Sequence, residues 1–324
     1  MLYPLKFNSI LKEKIWGGSK LKTFIENKII TSENIGESWE ISGVTGDLTS
    51  VKNGILKGKN INEIIAIYNE NLLGKKIFNR FKNNFPLLIK FIDANKILSL
   101  QVHPNDKIAK EKYNSFGKSE IWYIIDSEKD SEIITGFKKE TDKIEFENRF
   151  HSGNLNEILN FEKTAKGDVF YIPAGRVHTI GAGNLIAEIQ QSSDITFRIS
   201  DWDRVDETGK KRELHYNEAI EATDFSFKGN LKCNYTEIEK NRFNLLESDF
   251  FSVNFINITE TIILDYSQID SFIIYICLKG SFEILYSNTE KVSVQKGETV
   301  LIPACLKKII LEKISDSQIL EVYI

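Results

Sequence analysis

Two of the four histidines in this 324-residue chain stand beside other donor side chains, in Gln101-Val102-His103 and in Gly175-Arg176-Val177-His178. Together with Glu120 they supply two imidazoles, one carboxylate and one carboxamide oxygen. That set suits Zn²⁺ or another divalent first-row metal, with a coordination position left for substrate or water. A metal-bound histidine also needs its second ring nitrogen held by an acceptor, which the sequence does not identify. The other two histidines, His151 and His215, lie in stretches of helical pattern outside these runs.

Strands are the elements that bring such residues together, because successive side chains on a strand point to opposite faces. Ile97-Leu98-Ser99-Leu100-Gln101-Val102-His103 puts Ser99, Gln101 and His103 on one face and Leu98, Leu100 and Val102 on the other. By the same period Lys118, Glu120 and Trp122 share a face, and so do Asp194, Thr196 and Arg198. In a barrel with an open mouth, three such polar faces converge on a cavity.

The run Lys166-Gly167-Asp168-Val169-Phe170-Tyr171-Ile172-Pro173-Ala174-Gly175 recurs 130 positions later as Lys296-Gly297-Glu298-Thr299-Val300-Leu301-Ile302-Pro303-Ala304-Cys305, with five of ten positions identical. An internal repeat of this kind predicts one β unit built twice. His178 of the first copy corresponds to Lys308 of the second, and no histidine follows His215, so one metal is expected, in the first unit.

The spacing Gly167-x5-Pro173-x-Gly175-x2-His178 matches the second motif of cupins, small jelly-roll barrels that often hold one metal. The first cupin motif, usually HxH with a Glu soon after, appears as Gln101-x-His103 with Glu120 delayed. In order along the chain come Ile15-Trp16-Gly17-Gly18, Gly36-Glu37-Ser38-Trp39-Glu40, Ser99 to Asp106, Gly117 to Tyr123, Gly167 to Gly181, Glu188 to Arg198 and Asp201-Trp202-Asp203-Arg204. With these motifs the chain closely resembles, nearly end to end, the type I mannose-6-phosphate isomerases of the short bacterial form.

The resemblance implies interconversion of D-mannose 6-phosphate and D-fructose 6-phosphate through a metal-stabilised cis-enediolate. It aligns Gln101, His103, Glu120 and His178 with the zinc ligands, Lys118 with a substrate-site lysine, and Arg198, with Asp194 beside it, with the active-site arginine. Ser99 is placed to bind substrate with Lys118 and Arg198. The general base is left open between Asp194, a metal-bound water and Lys118. Some longer relatives carry His immediately before that lysine; here the position is Gly117, so that histidine's role in proton transfer does not carry over. Two other readings fit a metal-holding or sugar-holding barrel: a non-catalytic sugar-phosphate-binding homologue and a metal-dependent cupin oxygenase.

The fold expected is mainly β, two cupin-type jelly-roll barrels with small helical insertions. Residues 1–231 would form an N-terminal arm and the metal-binding barrel, with helices at about 55–85, 142–160 and 213–222, and 232–324 a degenerate barrel without metal. One helix should run from Asn60 to Gly74, where Ile61, Ile64, Ile65 and Tyr68 follow helical spacing. A formal charge of −4 with scattered lysines gives no case for nucleic acid, and the longest apolar run, Phe272 to Leu278, is too short to span a bilayer. Cys233, Cys277 and Cys305 are far apart and odd in number, which favours buried free thiols over disulfides. The first residues lack a basic stretch followed by an apolar one, so a cytoplasmic location is expected.

Overall fold

The computed structural model describes residues 2–324 except 27, 207, 227–231 and 236–240. Its central strands are apolar on both faces for a physical reason. All eight residues of Leu87–Ala94 are buried, with Leu87, Ile89 and Phe91 in one apolar cluster and Ile92 and Ala94 in another. A sheet covered on both sides tolerates little polar surface, so its strands read as nearly continuous hydrophobic runs.

That strand belongs to a six-stranded sheet, in spatial order Val169–Ile172, Glu120–Ser127, Asn184–Gln191, Leu87–Ala94, Ile35–Ser42 and Ile10–Gly18. Facing it is a five-stranded sheet ordered Phe197–Ser200, Leu100–Val102, His178–Ile180, Glu132–Phe137 and Leu159–Lys163. Trp122, Phe170 and Ile186 from the first sheet and Ile133 and Ile180 from the second share one core. The second unit repeats the plan. A seven-stranded sheet contains Ser252–Ile258, Ser317–Tyr323, Ile273–Lys279 and Thr299–Ile302 as neighbours, and a four-stranded sheet orders Ile262–Asp265, Lys308–Lys313, Ser281–Leu285 and Lys291–Gln295. Their shared core includes Tyr275, Phe282 and Ile309. The fold is therefore mainly β, with two double-sheet units of the same strand order. The two large sheets back onto each other: Ile121, Tyr123 and Ile189 join Val253, Phe255 and Ile274 in one cluster.

The repeated runs adopt equivalent structure, with Val169–Ile172 and Thr299–Ile302 each following a glycine and preceding a proline. His178 and Lys308 each open the next strand. The buried His178 faces inward, whereas Lys308 is exposed and pairs with Asp265 at 3.4 Å. The N-terminal arm serves both units. Leu5–Asn8 pairs with Thr299–Ile302, Leu5 opposite Leu301, while Ile10–Gly18 closes the edge of the first sheet. Residue 231, the expected end of the first domain, lies outside the described residues.

The helices depart from expectation in detail. In place of one helix over 60–74 there are two, Ile61–Tyr68 and Glu70–Leu73, and a third, Lys75–Phe81, follows Gly74. Asn60 and Glu63 form the capping box that starts the first. The chain breaks at Asn69 and at Gly74, where a Cβ would lie 2.4 Å from the Asp270 carbonyl and the φ is +91°. The Asp270 carboxylate then accepts from the Lys75 and Lys76 amides at 2.8 and 3.0 Å, restarting the helix against the second unit. The helix expected over 142–160 stops at His151, because Leu159–Lys163 pairs with Glu132–Phe137 as a strand. The third helical patch forms as Tyr216–Ala222. Helices Lys20–Phe24 and Asp106–Tyr113 were not expected: the second is mostly charged on its surface and shows no apolar period, only the Asn105 side chain capping Ile108.

Of the three thiols only Cys277 is buried; Cys233 is half-buried and Cys305 exposed, in the turn after Thr299–Ile302 where the first copy has Gly175. No helix among the described residues is long and apolar enough to cross a membrane.

Candidate metal centre and adjoining pocket

Strand register assembles the site. On the five-stranded sheet Gln101 stands between His178 on one neighbour and Arg198 on the other. On the facing sheet Glu120 is paired with Ile172 and with Gln190. The two sheets therefore present their donors across the barrel interior.

His103, Glu120 and His178 are all buried, and one ligand atom from each lies within 4.8 Å of the others. The His103 Nδ1 meets the Ile195 carbonyl at 2.9 Å and the His178 Nδ1 meets the Arg176 carbonyl at 2.8 Å. A carbonyl oxygen only accepts, so Nδ1 carries the proton on both rings and both Nε2 lone pairs face the cluster. These Nε2 atoms stand 3.6 and 3.4 Å from the Glu120 carboxylate oxygens. Burial holds both imidazoles well below their usual pKa, His178 to about 3, with the Lys118 ammonium adding to it. Burial and the nearby Glu188 raise Glu120 to about 7, against the pull of Lys118.

The buried Oε1 of Glu120 has no hydrogen-bond partner, and Oε2 has only the Lys118 ammonium at 3.2 Å. A buried carboxylate and two imidazole lone pairs converging on one point, with only the Lys118 ammonium and the Gln101 amide at their edge, form an arrangement that a cation relieves, so the residues fit a divalent metal. Among the described residues no second group of three such donors lies as close. Gln101 flanks the cluster with its amide nitrogen 3.3 Å from His178 Nε2, while its oxygen accepts from Ser99 Oγ at 3.3 Å. Turning the amide by half a revolution exchanges the two ends.

Lys118 lies against the cluster, its Nζ 3.0 Å from His103 Nε2 and 3.2 Å from Glu120 Oε2. Beyond it opens a cavity of about 370 Å³ whose wall includes Ser99, Gln101, Lys118, Asp194, Thr196 and Arg198. All three polar strand faces thus reach one pocket. Asp194 sits exposed at its rim and makes no ion pair with Arg198. The Arg198 Nη1 donates to the Glu213 carbonyl at 2.7 Å, while its buried Nε has no partner. Burial and the neighbouring Arg212 lower the Arg198 pKa. His151 meets Tyr216 at the surface, and His215 Nδ1 accepts from the Arg198 amide at 3.1 Å, away from the cluster.

Several lining residues carried no assigned role in the sequence reading. Lys90 is buried and paired with Glu188 at 3.0 Å and Gln190 at 2.6 Å. Burial opposes the charge of both partners, yet Glu188 keeps Lys90 above its usual pKa, and Lys90 and Lys118 hold Glu188 below its own. Lys90 also lies over the Trp39 ring at 5.2 Å, with Lys12 at 4.9 Å. A lysine in the apolar run Leu-Leu-Ile-Lys-Phe-Ile-Asp-Ala was the available signal. Six cations, Lys12, Lys14, Lys90, Lys118, Arg198 and Arg212, line the pocket against four carboxylates, Glu37, Asp47, Glu188 and Asp194, which favours an anionic ligand.

Comparison with known proteins gives concordant results. The catalytic-domain model of type I phosphomannose isomerase matches residues 4–146, and the cupin-domain model of mannose-6-phosphate isomerase matches residues 241–319. The chain is 37% identical over 312 residues to the mannose-6-phosphate isomerase ManA of Bacillus subtilis, covering 95% of this chain and 96% of that one. Its fold superposes on the crystal structure of the mannose 6-phosphate isomerase from Bacillus subtilis with a TM-score of 0.89 and 31% identity, over 100% of both chains. A zinc-bound mannose 6-phosphate isomerase, at 15% identity and TM-score 0.80 over 99% of each chain, shares the fold.

Proposed function

The chain belongs to the type I phosphomannose isomerase family, and we propose that it interconverts D-mannose 6-phosphate and D-fructose 6-phosphate in the pocket above Lys118. The observation that carries this reading is the buried Glu120 carboxylate, its Oε1 without a hydrogen-bond partner and faced by two imidazole lone pairs, beside a pocket with six cations.

His103, Glu120 and His178 would hold the metal, with Gln101 as a fourth donor. Zinc is the metal we assign, because this donor set suits it and a relative of the same fold binds it. A bound divalent metal supplies Lewis-acid polarisation of the sugar's oxygens and offsets the negative charge of the enediolate.

The chain's own residues account for binding, charge and proton movement. Lys118, Arg198 and the Ser99 hydroxyl bind the sugar phosphate, and the surplus of cations suits its dianion. Arg198 brings a planar donor fork whose Nε has no internal partner, which suits the developing enediolate oxygen. Isomerisation moves one carbon-bound proton between C2 and C1, for which a base on one face of the sugar is enough, while the hydroxyl proton passes between O2 and O1. Glu188 has both oxygens taken, by Lys90 at 3.0 Å and the Trp122 indole at 2.9 Å. Glu37 is bonded to Trp39, and Asp47 to Lys12. Asp194 is the lining carboxylate that accepts no hydrogen bond among the described residues, and we assign the proton transfer to it. A cytoplasmic location suits three free thiols.

A coupled assay for fructose 6-phosphate formed from mannose 6-phosphate tests the reading. Turnover supports it. Sugar-phosphate binding without turnover would mark a binding homologue, and oxygen consumption an oxygenase.

A further inference from the structure

Glu120 of the candidate metal cluster and the lysine beside it lie on one short segment, Gly117-Lys118-Ser119-Glu120, and two side chains outside the pocket hold its backbone. The Asp106 Oδ1 accepts from the Gly117 amide at 2.8 Å and from the Gln191 Nε2 at 2.9 Å. The Gln191 Oε1 in turn accepts from the Ser119 amide at 2.9 Å, and the Gln191 amide donates to the Ser119 carbonyl at 3.2 Å. The Lys118 amide between them donates to the Pro104 carbonyl at 3.0 Å. Asp106 opens the helix Asp106–Tyr113, and Gln191 ends the strand Asn184–Gln191, whose Gln190 is paired with Glu120. A helix start and a strand end are thus tied together through one carboxylate oxygen, with the active segment between them.

The close approach depends on Gly117. A Cβ there would lie 2.5 Å from the Asp106 amide nitrogen and 2.7 Å from the Asn105 carbonyl carbon, both backbone atoms that cannot swing aside. A side chain at position 117 and this tie exclude each other.

On the isomerase reading above, we propose that Asp106 and Gln191 act as a positioning clamp that fixes the backbone carrying Lys118 and so places its ammonium in the pocket wall beside the cluster. Neither residue touches substrate in this arrangement. Their effect passes through the placement of Lys118, whose Nζ has His103 and Glu120 within 3.2 Å. A displacement of about 1 Å at a catalytic group costs on the order of 100-fold in rate.

Four single variants, Asp106→Ala, Asp106→Asn, Gln191→Ala and Lys118→Ala, and the double variant Asp106→Ala/Lys118→Ala test this on the full chain loaded with zinc. Asp106→Ala should lower kcat by about 10- to 100-fold with zinc content and melting temperature near wild type. Asp106→Asn keeps the accepting oxygen and should rescue most of that loss. Added to Lys118→Ala, Asp106→Ala should cost nothing further, since the clamp acts through the lysine. Should Asp106→Ala not fold, Gln191→Ala takes its place in the cycle. Wild-type kcat in the clamp variants, or an equal loss with Lys118 already removed, would overturn the proposal.

Amide hydrogen exchange supplies a readout apart from turnover. The Gly117 and Ser119 amides should be protected in the wild type and lose protection in Asp106→Ala and Gln191→Ala respectively, and unchanged protection would also overturn the clamp. If the wild-type chain forms no fructose 6-phosphate, the isomerase reading fails while exchange still decides the clamp.

Discussion

Glu188 in the first barrel and Glu321 in the second occupy the same place. Glu188 lies opposite Trp122 on one neighbouring strand and Lys90 on the other; Glu321 lies opposite Tyr275 and Asn254. Trp122 is itself paired with Phe170 and Tyr275 with Val300, the positions that the sequence repeat superposes. Both carboxylates are buried and fully engaged: Glu188 takes Lys90 and the Trp122 indole, Glu321 takes the buried Asn254 and Tyr266 and the solvent-reaching Arg242. The carboxylate is common to both units. The residues proposed to hold the metal are not, since Ile273 and Lys308 stand where the first barrel has Glu120 and His178.

Equivalent places predict different losses. Glu321→Ala removes the acceptor of the Arg242 guanidinium and of Asn254 inside a packed core. It should cost about 2–4 kcal/mol in denaturant unfolding, less than a fully buried pair because Arg242 reaches solvent. Zinc content should stay at one per chain. Glu188→Gln should instead lower kcat at least about tenfold, because Lys90 loses its counter-charge inside the pocket. Loss of metal from Glu321→Ala would show that the two carboxylates are not divided in this way.

Replacing His103, Glu120 or His178 with Ala should strip the metal and abolish turnover, since each removes one donor of the cluster. His151→Ala and His215→Ala should keep it, as their rings bond Tyr216 and the Arg198 backbone. Elemental analysis after dialysis reads the result. Two retained equivalents in the wild type, or metal lost from His151→Ala and kept in His178→Ala, would contradict the assignment.

The cluster was legible in the sequence because its residues are costly to bury without a purpose and stand at strand spacing: Ser99, Gln101 and His103 alternate, and so do Lys118 and Glu120. Lys90 was not, since one lysine in an apolar strand carries no period and its partner Glu188 is 98 residues away. Asp106–Tyr113 was missed because its surface is charged and only Ala109 is buried. The helix expected over 60–74 ends at Gly74 as expected, where Asp270 approaches, but it breaks inside at Asn69, whose φ of +48° no local spacing foretold. The repeat foretold two barrels of one plan, but not that Leu5–Asn8 would pair into the second. Such long-range pairing leaves no local mark.

The arm's attachment should show in acid. Glu298 accepts from Lys6 at 2.6 Å and Lys52 at 3.1 Å, joining the arm to the second barrel. Burial by itself would raise the Glu298 carboxyl, but the two ammonium groups hold it below the usual carboxylate range. Burial lowers Lys6 more than Glu298 raises it, so the gain of the pair sits on the carboxylate. A depressed carboxylate pKa stabilises the fold above the unfolded value, near about 4.3, and that contribution disappears as pH falls through the lower folded value. Glu298→Gln should therefore lose about 1.5 kcal/mol at pH 7 and converge with the wild type in strong acid. Parallel curves of stability against pH would refute the linkage.

Arg198 separates binding from catalysis. It stands beside Gln101 in the sheet, lines the pocket, and has a buried Nε without a partner while Nη1 is anchored to the Glu213 carbonyl. Lysine at this position keeps a positive charge but loses the planar pair of donors and the anchor that orients them. If Arg198 served only as a distant charge for the phosphate, Arg198→Lys would raise KM and leave kcat alone. If it donates to the oxygen that gains charge in the enediolate, the loss falls on kcat, by a factor on the order of 100 to 1,000, as when one preorganised oxyanion donor is removed. The free Nε favours the second outcome, because a group wholly used in the resting structure would have its donors paired. Steady-state kinetics on Arg198→Lys, with zinc content and melting temperature measured on the same preparation, decides between them: we expect both of these near wild type and the deficit confined to kcat.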